Sequence, residues 1–194
     1  EEMLAKVRSA LEAGDPCELS RHVDQVLVLR EAVLDYLTHI GRSGLSDREA
    51  DEYVRLVAAT GEIETMSTAI GRELAPLAAA LEEAGIVPAK DTAEVLQELL
   101  QTIQETAQAA LRALVDGDER AAQSVVAKRS AILDLTADLQ RRQAARLTQD
   151  DPDRLIKHRL QLEIVDKLRR IHGVAEHMAL SVLPRSVLVG ELAS

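Results

Sequence analysis

Among the carboxylates that stand four residues apart in this sequence are Glu31 with Asp35 and Asp134 with Asp138. On a helix that spacing sets two acids side by side, where they repel unless a cation lies between them. Magnesium or iron is the hard cation such oxygens would take. The same residues also read as a solvated acidic face, because 33 Asp and Glu outnumber 23 Lys and Arg.

Other chemistries find less material. His22, His39, His158, His172 and His177 never fall four apart, and no Glu has a His three residues on. The Glu-x-x-His pair of a di-iron carboxylate bundle is therefore missing. Cys17 is the single cysteine, so no internal disulfide and no cysteine metal site can form, and a reducing compartment is the simpler expectation. The glycines are scattered among turns rather than gathered into a phosphate loop. With no nucleophile or acid–base set in view, the expectation is a protein that is not an enzyme.

Basic residues concentrate in the second half, with Arg141 and Arg142, then Arg169 and Arg170, as their densest points. Acids such as Asp150, Asp153, Glu163 and Asp166 interleave with them. This pattern reads as salt-bridged helix surface, or as a face that meets a partner or anionic lipid headgroups.

The elements that must position these groups are helices. There is no Phe, no Trp, and only Tyr36 and Tyr53. The core has to be Leu, Val, Ile, Ala and Met, which suits helix-on-helix packing and gives bases or sugars almost nothing to stack on. A net charge of −10 argues against nucleic acid as a partner. No apolar run is long enough to span a bilayer, and the opening residues do not read as a secretion signal.

Turn signals divide the 194 residues into six helical segments. The first covers about 1–13 and ends at Gly14-Asp15-Pro16; the second covers about 18–40 and ends at Gly41-Arg42-Ser43-Gly44. Ser46 with Glu49 makes a capping box that opens a third, which runs to about Glu83 and closes at Gly85 and Pro88, with a kink or an early break expected at Pro76. Asp91-Thr92 caps a fourth that ends at Gly117. Asp118 opens a fifth, to about 149, and Asp151-Pro152 opens a sixth that stops at Pro184. Leu96, Leu100, Ile103, Ala107, Ala110 and Leu114 form one apolar seam; Leu162, Val165, Leu168, Ile171, Ala175, Met178 and Val182 form another. Period-two runs, the mark of strands, are absent.

The helices also repeat. Ala13-Gly14-Asp15 matches Asp116-Gly117-Asp118, Arg30–Asp35 matches Arg129–Asp134, and Glu62-Ile63 matches Glu163-Ile164. The offset stays near 100 residues, which points to a duplicated three-helix unit. The expected fold is all-α, a tandem pair of three-helix bundles, with units at 1–86 and 87–194.

A tandem pair of this layout resembles the PhoU family of phosphate-uptake regulators, and most closely the PhoU-like cytosolic tail of bacterial sodium/phosphate cotransporters. Glu2-Met3-Leu4 with Ala10–Asp15 resembles the first helix of that tail, Leu29–Leu37 its second, and Leu45–Glu49 the linker into its third. The stretch from Leu160 to Ile171, with its Leu-x-Arg-Ile ending, resembles the last helix.

The resemblance implies a regulatory domain on the cytoplasmic side of the inner membrane. It would modulate phosphate transport by contact with a transmembrane transport domain, in the same chain downstream of membrane-spanning segments or in a separate transporter. A free-standing regulator of the PhoU type and a purely structural module that forms a homodimer are the rival expectations. The family binds metal through acids four apart, and its pattern falls here on Glu64 and Glu163. Thr68 and Lys167 stand where the second acid of each pair would be. Glu64 and Glu163 thus join Glu31, Asp35, Asp134 and Asp138 as candidate carboxylate ligands for a divalent metal or iron.

Overall fold

The chain is described here from a computed structural model covering residues 16–42, 44–86, 89–146 and 154–184. Among the described residues all regular structure is helical and no strand occurs. Five helices account for it: α1 (Pro16–Gly41), α2 (47–83), α3 (Lys90–Asp116), α4 (119–146) and α5 (Arg154–Val182). The first helix read from the sequence, at about 1–13, lies outside the described residues, as do Pro88, the end of the fifth near 149 and the Asp151-Pro152 start of the sixth.

The helix ends show why the chain breaks where it does. At the start of α2 the Ser46 N–H donates to Glu49 Oε2 at 2.9 Å, and its hydroxyl donates to the same oxygen at 2.6 Å. These bonds supply the Glu49 half of the capping box and hold the Glu49 carboxyl below its ordinary pKa, the Ser46 hydroxyl being the larger cause. Gly117 closes α3 in the left-handed region, with φ +65°, a conformation that costs a side chain dearly. Asp118 then caps α4 by accepting from the Arg120 and Ala121 N–H groups at 3.0 and 3.1 Å.

Three local expectations change. Asp91-Thr92 does not cap α3: the cap lies two residues earlier, at Ala89 in extended conformation, and Asp91 falls inside the first turn. Nothing ends α2 at Pro76. The wide-turn segment Ala69–Leu74 leads into Ala75–Glu83, and the Ala75 N–H bonds five residues back to Ile70. A wide turn makes room for the proline ring and absorbs the hydrogen bond its missing N–H would have made. α4 is also interrupted, at Lys128, between Glu119–Ala127 and Arg129–Arg146. No Gly or Pro marks that point, so the sequence could not announce it.

Ion pairs fix direction and register. Asp24 with Arg72 and Arg30 with Glu64 make α1 and α2 antiparallel. Lys128 with Glu105 and Arg142 with Asp91 do so for α3 and α4, and Arg129 meets Glu176 across α4 and α5. Across the middle, Glu62 meets His177 and Glu73 meets both Lys167 and Arg170, so α2 and α5 are antiparallel too. α3, α4 and α5 pack on one another pairwise, α2 packs on α5, and α1 packs on α2. The main core runs from Met66 through Leu99, Ile103, Ile132 and Leu139 to Leu168, Ile171 and Met178. Both predicted apolar seams face it, with Leu96, Leu114, Leu162 and Val182 half-buried at their ends.

Candidate functional site

The candidate carboxylates occupy three separate regions. Glu31 and Asp35 are exposed on α1, Glu64 is half-buried on α2, Asp134 and Asp138 lie on α4, and Glu163 lies on α5. Of these, the fold brings Glu31 and Glu64 together, and it does so through a cation: Arg30 Nη1 lies 2.7 Å from Glu31 Oε1 and Arg30 Nε 2.7 Å from Glu64 Oε2. Asp138 accepts from Arg142 Nε at 2.7 Å and has Arg141 at 3.7 Å. Glu163 has Arg159 Nε at 3.6 Å. A guanidinium already supplies the positive charge that a metal would bring. Among the described residues no three His, Cys, Asp or Glu side chains gather closely enough to hold a metal ion. The six carboxylates are not gathered into one centre.

The basic candidates divide. Arg142 is committed inside the molecule: it bridges Asp138 on its own helix and Asp91 on α3, touching the Asp91 backbone carbonyl at 3.2 Å as well. These acids, Asp138 first, push its pKa up. Arg170 is held by Glu73, 2.8 Å away, beside Lys167 at 2.9 Å. That pair of cations, with the Lys167 hydrogen bond as the largest cause, draws the Glu73 carboxyl below its usual range. Arg141 and Arg169 remain exposed.

Two features with no local signature in the sequence stand out in the interior. His172 is buried in α5 to 6% exposure, and neither ring nitrogen has a hydrogen-bond partner among the described residues. Burial holds its pKa below the ordinary 6.5, partly opposed by Glu176, with Arg129 adding to the lowering. A small cavity lies between Thr92 and Leu96 of α3, Leu139 and Gln143 of α4, and Gln161 of α5, with Leu81 of α2 at its end.

One surface is also left open. On α1 the residues Val23, Leu34 and Leu37 turn toward α2, whereas Val28 (70% exposed), Leu29 (66%), Val33 (44%) and Tyr36 (67%) face away. At 100° per residue these four, with exposed Ala32 among them, make a continuous apolar flank about two turns long. The sequence carried the signal, since α1 has apolar residues at too many angular positions for a helix with one buried face. No helix among the described residues is long and apolar enough to cross a membrane. Comparison with protein-family models, with curated proteins and with solved structures finds no match for this chain.

Proposed function

We propose that the chain is a PhoU-like regulatory domain that acts by contact, modulating a sodium/phosphate cotransporter from the cytosolic side of the membrane. The observation that carries this reading is the apolar flank of α1. Four large side chains open to solvent on one helix form a surface of the kind that protein partners cover.

The tandem architecture belongs to the same proposal. The match of Glu62 to Glu163 equates Ala69-Ile70 with Arg170-Ile171. The α2–α5 ion pairs, Glu62 with His177 and Glu73 with Lys167, are centred on those same residues. Two copies of one helix that cross antiparallel at equivalent positions are related by a local two-fold axis, as duplicated units packed face to face would be. Regulation would then be a two-state docking of the flank on the transport domain, with the balance set by phosphate status. No reaction is assigned to the chain.

Deleting residues 1–194 from the encoded protein and following uptake of labelled phosphate in replete and starved cells tests the reading. The expected result is uptake that no longer falls when phosphate is plentiful; a normal response would refute it. Transmembrane segments encoded before Glu1 would join regulator and transporter in one polypeptide, and their absence from the gene would make the domain a separate partner.

A further inference from the structure

Serine and threonine hydroxyls inside helices ordinarily bond back to a carbonyl one turn earlier. Thr38, Thr60, Thr65, Thr102 and Thr136 do this here, as does Ser67. Thr92 does not. It sits in the first turn of α3, where the Ala89 carbonyl one turn back already accepts the Thr92 and Ala93 N–H groups, and at 2% exposure its Oγ1 has no partner among the described residues. Gln143, at 4% exposure, likewise has an unpartnered Oε1. The Asp91–Arg142 pair puts the two residues at one level of the antiparallel α3–α4 pair, next in sequence to the ion pair and on its buried side. Both line the same cavity, together with half-buried Gln161 and the apolar Leu81, Leu96 and Leu139.

Leaving two buried polar atoms without partners costs on the order of 1–3 kcal/mol each. The cavity measures about 10 Å³, which is the space a single water requires. We propose that this cavity is a binding site for one structural water molecule, which accepts a hydrogen bond from the Thr92 hydroxyl and donates one to the Gln143 side-chain carbonyl. The Gln161 amide is the third polar group within the lining and completes the usual complement of about three bonds. Leu81, Leu96, Leu139, Ile164 and Val165 line the rest, and the volume admits nothing larger than a water. The site lies where the end of α2 reaches α3, α4 and α5, and its water ties α3, α4 and α5 to one another at that junction.

Oxygen-17 and deuterium relaxation dispersion on the purified chain counts waters that stay bound longer than the protein tumbles. The wild type is expected to exceed the Thr92→Val, Gln143→Leu double variant by one such water, while Thr92→Ser, which keeps the hydroxyl, retains it. Equal counts in wild type and double variant, with helical circular dichroism preserved, would overturn the proposal. Should the double variant not fold, the wild type decides alone: a long-lived water contact to the Gln143 side-chain amide in nuclear Overhauser spectra supports the site, and its absence removes it.

Discussion

At the scale of single residues, the interior carries more consequence than the acidic pairs that drew attention first. His172 illustrates this. With its folded pKa below the unfolded value, the unfolded chain takes up a proton first as pH drops, so stability falls once pH passes below about 6.5 and levels off below the folded pKa. Glu176 and Arg129 are the charged groups that bear on it. His172→Leu should remove that part of the slope, and urea unfolding between pH 8 and 5 measures it; an unchanged slope would count against the assignment. Glu73 works in the opposite sense. Its pKa is lowered by Lys167 and Arg170, so its contribution is present above the ordinary carboxylate range and disappears as pH falls through its folded value. Glu73→Gln should cost about 1 kcal/mol at pH 7, since the pair is partly exposed, and a double-mutant cycle with Lys167→Met should show coupling. None of these long-range partners could be read locally. Glu73 and Arg170 are 97 residues apart, Glu62 and His177 are 115 apart, and such pairs leave no spacing signature.

At the scale of the element, the sequence was far more legible. Glycine, Asp and Ser at helix ends have fixed physical jobs, and Ser46, Gly117 and Asp118 perform them. Gly117→Ala should destabilise by about 1 kcal/mol because alanine is strained at φ +65°, and Asp118→Ala by a similar amount through loss of two accepted N–H bonds. Thermal unfolding of each variant measures this, and an unchanged midpoint would contradict the capping account. Asp91 departs from this pattern. An Asp-Thr pair before an apolar run looks like a cap, but the Asp91 carboxylate lies 3.1 Å from Arg142, 51 residues away, and tertiary pairing overrides the local preference. The wide turn before Pro76 was half legible: proline forecast a disturbance, and the choice between a break and a wide turn rests on the packing of Ala69, Ile70 and Leu74 in the core.

At the scale of the molecule, the account is of a helical domain whose polar chemistry is spent on holding helices in register and whose open feature is apolar. Three matches in order are legible in the sequence, and the structure adds that α2 and α5 run antiparallel. What the sequence hid was the direction of the contact surface, because two of the arginines that suggested one, Arg142 and Arg170, pair with acids of neighbouring helices. The claim that regulation runs through α1 is tested most directly by phosphate uptake in cells carrying Leu29→Glu with Tyr36→Glu. Both side chains are exposed, so stability should change by no more than about 0.5 kcal/mol. The account predicts a folded protein whose uptake stays high in phosphate-replete cells, and uptake that falls as in the wild type would contradict it.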